Sequence, residues 1–212
     1  MTSAHESATL IAAEVSSRTL DGFAIIGIDG TGGSGKSTLA EELATVLRGS
    51  SGATTVTVVH GDDFYREMDG EERARLSPAE GYELYYDWER LREEVLAPLT
   101  SGNAARYRRY DWPSGRIVPG ELHQVPHTGY VIVEGVQAVR PELAGYYDLT
   151  VLVDTPFDLA MDRMLMRGHN HSHDHSRIHG PGDWEERWQA ADKYYFATTE
   201  PWRRLDIIVK GL

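Results

Sequence analysis

Hydrophobic positions in this chain fall into short unbroken runs separated by amphipathic stretches. Phe23-Ala24-Ile25-Ile26-Gly27-Ile28 is continuously apolar, which predicts a central parallel strand covered on both faces. From Lys36 to Arg48, Leu39, Leu43, Val46 and Leu47 recur at helical spacing. Thr54 to His60 is β-branched and reads as a second strand. Tyr130 to Gly135, Asp148 to Asp154 and Leu205 to Val209 supply three more, with helices expected at Trp88 to Leu99, Asp158 to Arg167 and Asp183 to Thr199. Ser77-Pro78-Ala79-Glu80 has the form of a capping box with proline at the first helical position. Between Ala104 and Val125 the pattern alternates and turns, as a small antiparallel excursion would. Ser7 to Arg18 carries a weaker helical pattern (Leu10, Ile11, Val15), read as a short helix outside the main fold or, equally well, a partly ordered terminus.

Strands alternating with helices specify an α/β, three-layer architecture with a mostly parallel sheet, whose ligands sit at the carboxyl ends of the strands. Asp62, Asp63, Glu134 and Asp154 all fall at that edge. The 212 residues, 41% of them hydrophobic, are expected to form one domain over 1–212, with a substrate-covering excursion over about 62–125 and a lid over about 168–183. A net charge of -12 argues against a nucleic-acid surface and points to a small-molecule partner. The absence of cysteine removes disulfides and thiolate catalysis and fits a reducing, cytoplasmic setting. Neither a secretory leader nor a membrane-spanning run is expected, and a homo-oligomer is compatible with all of this.

Chemistry concentrates at Gly30-Thr31-Gly32-Gly33-Ser34-Gly35-Lys36-Ser37-Thr38, between the first strand and the first long helix. Glycines there let successive N–H groups turn inward around phosphate at a helix N-terminus. In such a P-loop Lys36 reaches the β- and γ-phosphates and Ser37 places its hydroxyl on magnesium. Lys36 is one of three lysines, with Lys193 and Lys210. GTPases, motors and small-molecule kinases share this loop, but no Asn-Lys-x-Asp guanine-reading motif occurs, and the strand on the magnesium side ends in Glu134-Gly135. A small-molecule kinase using ATP is the favoured class. A nucleotide-binding regulatory switch is the reading from another class.

Asp62-Asp63-Phe64-Tyr65-Arg66 places two carboxylates and an aromatic just past the second strand. An acceptor hydroxyl needs a carboxylate to orient it and take its proton. At these residues the chain resembles the uridine kinase and phosphoribulokinase-like branch of P-loop kinases, a nucleoside/nucleotide-kinase-like fold. The resemblance implies that Asp62 is the base on a ribose 5′-hydroxyl, with Tyr65 near the nucleoside; of the two carboxylates themselves, one can serve the acceptor while the other holds magnesium through water, and Asp63 is a candidate on the substrate side. It implies that Asp87, in Tyr86-Asp87-Trp88, grips the ribose, and that Tyr110 and Trp112, in Tyr110-Asp111-Trp112, stack on the pyrimidine. Glu134 would stand near magnesium with Ser37, and Arg163 and Arg167 would approach the phosphates. The implied reaction transfers the γ-phosphoryl group of ATP to a primary hydroxyl of a nucleoside such as uridine or cytidine. Another small hydroxyl compound (a sugar, a glycerate-like acid, a vitamin precursor) is the alternative acceptor.

Two features depart from that pattern. Pro113-Ser114-Gly115-Arg116 stands where uridine-cytidine kinases carry a pyrimidine-reading histidine. A histidine tract at 169, 171, 173 and 175 replaces an arginine-rich lid, with Arg177 and His179 beyond it. The tract reads as a solvated lid more readily than as a metal site. Trp184, Trp188 and Tyr195 follow helical spacings of four and seven and read first as packing.

Overall fold

The computed structural model describes residues 3–18, 22–50, 55–168 and 183–211. Five parallel strands form the central sheet in the order β2-β7-β1-β8-β9: β1 (Phe23–Asp29), β2 (Val56–His60), β7 (Gly129–Glu134), β8 (Leu149–Asp154) and β9 (Ile207–Lys210). The predicted runs become these strands because alternate side chains enter two different apolar layers. Ala24, Ile26 and Ile28 of β1, with Tyr130 and Ile132 of β7, face a layer that includes Leu39, Leu43 and Leu47 of helix α2 (Lys36–Ser50). Ile25, Val131 and Val133 face the other way, toward Phe64, Leu91, Val95 and Leu99. Gly27 lacks a side chain for a packing reason: a Cβ there would come within 2.7 Å of Val139 and 3.0 Å of the Tyr147 ring.

The N-terminal segment corrects the expectation of a helix outside the fold. Ala4–Arg18 is a 15-residue helix, α1, and Ala8, Ile11, Ala12 and Val15 are buried in the same layer as α2. Leu10, one of the three residues that suggested the pattern, is 66% exposed. Half of the buried stripe is alanine, which leaves little hydrophobic contrast in the sequence.

After β2 a single 3₁₀ turn, Gly61–Phe64, carries the chain across the sheet edge. The short helix α3 (Gly70–Ala74) follows. Helix α4 (Pro78–Leu84) begins on the expected capping box: the Ser77 hydroxyl accepts from Glu80 N–H, and Ser77 N–H donates to the Glu80 carboxylate. The helix predicted at Trp88 to Leu99 is present but not regular. It opens as α5 (Trp88–Leu91), widens to π geometry over Arg92–Leu96 and ends as α6 (Ala97–Thr100). The excursion is two separate antiparallel ladders, β3 (Ala105–Tyr107) with β6 (His123–Val125) and β4 (Tyr110–Asp111) with β5 (Arg116–Ile117). Helices α7 (Phe157–Gly168) and α8 (Trp184–Thr199) pack on the other side of the glycine loop. Among the described residues no helix is long and apolar enough to cross a membrane.

Candidate active site

The glycine loop leaves β1 through Asp29, a residue the sequence reading passed over. Asp29 is fully buried, and its two oxygens accept from the N–H groups of Gly30, Gln137 and Val139 and from the Tyr195 hydroxyl, at 2.6 to 3.2 Å. Burial pushes its pKa up, opposed by those donors and by Lys36. One carboxylate thereby ties the loop entrance to the segment after β7 and to α8. The visible signal was an acid closing an apolar strand directly before Gly30.

Gly33 adopts φ +80°, and a Cβ there would collide with the backbone carbonyl of Ala160 on α7, so backbone geometry and space both require glycine. Lys36 Nζ donates to the Thr31 carbonyl at 2.9 Å, across the mouth of the loop. Asp192 of α8, also missed in the sequence, accepts from the Thr31 hydroxyl at 2.5 Å and from Gly32 N–H at 3.2 Å. Burial raises its pKa to about 6, against the Thr31 and Gly32 hydrogen bonds and Lys36.

Glu134 ends β7 beside the loop. Its Oε1 accepts from the Ser37 hydroxyl at 3.2 Å and lies 2.8 Å from His60 Nδ1. Burial works against the Glu134 charge, but His60, Lys36 and Ser37 outweigh it and hold the pKa below the usual carboxylate value. The same bond raises His60. Asp62 stands at the carboxyl end of β2, in the 3₁₀ turn. Its side chain is solvent-exposed; partial desolvation by the surrounding residues, together with the Glu134 charge, pushes its pKa up to about 6. Asp62, Glu134, His60 and Lys36 thus form one electrostatically coupled group.

The remaining predicted residues sit as follows. Asp63 accepts from the Tyr107 hydroxyl at 2.9 Å and pairs with Arg109 at 3.1 Å. Asp87 caps α5 through Arg90 N–H and pairs with Arg66 at 3.4 Å. Tyr65 is fully buried; its ring stacks on Trp112 with centroids 4.7 Å apart and meets Tyr110 edge-on, and its hydroxyl accepts from Trp188 Nε1 at 3.0 Å. These aromatics therefore pack on one another. Arg163 lies half-buried on α7 and makes no ion pair among the described residues. Arg167 follows one helical turn later, its side chain outside the described part. The histidine tract, Arg177 and His179 also lie outside the described residues. Asp154, expected at the same edge, pairs with Lys210 at 2.6 Å, away from this group.

Residues 25–194 match the model of the Phosphoribulokinase / Uridine kinase family. The chain belongs to this family. It is 29% identical over 152 residues to a uridine kinase of Proteus mirabilis, covering 69% of this chain and 68% of that one. It is 30% identical over 149 residues to a uridine kinase of Shewanella baltica, with 68% of each chain covered. A solved structure described as a possible uridine kinase from Bacillus stearothermophilus superposes with a TM-score of 0.70 over 95% of this chain and 96% of that one, at 24% identity, a likeness of fold. As a member of the phosphoribulokinase/uridine kinase family the chain is an ATP-dependent phosphotransferase acting on a hydroxyl group.

Proposed function

We propose that this kinase phosphorylates the primary hydroxyl of a nucleoside, uridine or cytidine first, with Asp62 as the catalytic base. The observation that carries the reading is Asp62 itself: a carboxylate at the strand edge across from the P-loop, with a pKa raised to about 6. That value leaves it ionised at neutral pH and basic enough to take a proton. Relatives described as uridine kinases supply the nucleoside.

In the proposed step the acceptor hydroxyl donates to Asp62 while its oxygen attacks the γ-phosphorus in line with the leaving ADP oxygen. Asp62 holds the released proton. The loop N–H groups from Gly32 to Thr38 and the Lys36 ammonium offset charge on the β- and γ-phosphates, joined by Arg163 and Arg167 from α7. Ser37 and Glu134 are oxygen donors that suit a hard cation. That fits magnesium, which is held by one or two protein oxygens together with substrate phosphates. Bound there, it would neutralise phosphate charge.

A second reading keeps the chemistry and changes the acceptor to another small hydroxyl compound. It is favoured by the mutual packing of Tyr65, Tyr110 and Trp112 and by Pro113-Ser114-Gly115-Arg116 in place of a base-reading histidine. A coupled ADP-release assay across nucleosides, sugars, hydroxy acids and vitamin precursors separates the two. Preferred turnover of uridine or cytidine supports the first; turnover confined to another compound sinks the nucleoside assignment.

A further inference from the structure

Beside the P-loop tip, the space between α7, α8 and Tyr86 forms a cleft with walls of Phe157, Met161, Met164 and Trp188. Thr31 and Gly32 form part of its floor, and Asp192 is the one charged residue in its lining among those described. Cations stand around that lining rather than in it: Lys36 is bonded to the Thr31 carbonyl, Arg187 to the Tyr85 hydroxyl, and Lys193 to the Gln189 amide oxygen at 2.8 Å. The Tyr86 phenol feels the charges of Asp62, Asp192 and Glu134 together, so this cleft adjoins the crevice that holds Asp62.

Asp192 is 8% exposed. Both of its hydrogen bonds, from Thr31 and Gly32, land on Oδ2. Oδ1 has no partner among the described residues, and it is not sealed from solvent as the buried unpaired side-chain atoms elsewhere are. A carboxylate this enclosed, with one oxygen spent on the loop and the other open to an apolar cleft, is a built hydrogen-bond acceptor.

We infer that Asp192 is a specificity-determining residue: its open oxygen receives an O–H or N–H from a ring-bearing acceptor and turns away acceptors carrying a carboxylate or phosphate at that end. This rests on the reading that the crevice beside Asp62 holds the acceptor. Aromatic and thioether walls suit an apolar ring. An anion facing Asp192 would meet like charge in a desolvated site with no described cation in the lining to offset it, which is discrimination by repulsion. The acceptors that suit this cleft are neutral or amine-bearing.

The test uses the full chain and two probe pairs that share a primary hydroxyl: uridine with 5-carboxyuridine, and pyridoxine with its 4-carboxylate. Turnover is read as ADP release and binding by tryptophan fluorescence, in wild type and Asp192→Asn. Asparagine keeps a carbonyl oxygen for Thr31 and Gly32, so the KM for ATP and the melting temperature serve as controls on the loop. In wild type the neutral member of the accepted pair is favoured by about 10-fold or more in kcat/KM, and Asp192→Asn narrows that gap by about 10-fold, chiefly through KM. A wild-type enzyme that uses the carboxylate as well as its neutral partner overturns the inference. So does a gap unchanged by Asp192→Asn, or binding of neither neutral compound. Preference within the pyridoxine pair alone removes the nucleoside and leaves the inference standing.

Discussion

Asp62→Asn separates the proposed base from its neighbours, because the amide keeps the shape of the side chain and removes its basicity. With a pKa near 6, Asp62 is about nine-tenths ionised at pH 7 and about one-tenth at pH 5, so kcat/KM should fall by about 10-fold between them if only the ionised form accepts the proton. The variant should lose about 10²- to 10⁴-fold in kcat, and its residual rate should show no acid limb near pH 6. Asp192 titrates in the same range, so the assignment needs its own control: Asp192→Asn should keep the limb. Stability supplies an independent check. A carboxyl whose pKa is raised from 3.8 to about 6 in the folded state makes the protein lose stability as pH rises between those values, and the loss persists above them. Asp62→Asn should therefore raise the melting temperature at pH 7.5 and leave it nearly unchanged at pH 3.5. Near-wild-type kcat in the variant, or a wild-type profile flat from pH 5 to 7, would refute the assignment of Asp62 as base.

Three further changes test other parts of the structure. Glu134→Gln should raise the magnesium concentration for half-maximal activity by about 10- to 100-fold while the protein stays folded, and an unchanged requirement would remove Glu134 from the metal site. Gly33→Ala should abolish measurable ATP binding in calorimetry, since φ +80° and the Ala160 carbonyl both oppose a Cβ; retained affinity would show that the loop has another bound form. Ile11→Ala should cost about 2–5 kcal/mol in denaturant unfolding if α1 is part of the core, and a cost below about 0.5 kcal/mol would return α1 to the periphery.

The P-loop was legible because its chemistry is local: strand, glycines, lysine and helix are contiguous, and each constrains the next. The parallel sheet was legible for a similar reason, since strands covered on both faces need uninterrupted apolar runs. Asp29 and Asp192 were not, because their partners lie far along the chain. Tyr195 is 166 residues from Asp29, and Thr31 is 161 from Asp192, and no spacing rule links such positions. Helix α1 was half legible: Ala8 and Ala12 face the core but carry too little hydrophobic contrast to announce it. The aromatic residues show a different limit. Tyr65, Tyr110 and Trp112 could be matched to a substrate face by motif, but whether a ring meets a ligand or another ring depends on packing, which a motif does not encode.

Helix α8 touches the glycine loop twice, through Tyr195 on Asp29 at the entrance and through Asp192 on Thr31 and Gly32 at the tip. These two residues are one helical turn apart, so the helix is clamped at two points along its length. A rod clamped at two points cannot swing about either. The clamp also makes the loop and this part of the helix a single mechanical piece, so that a substitution on α8 can be read in the set of the loop.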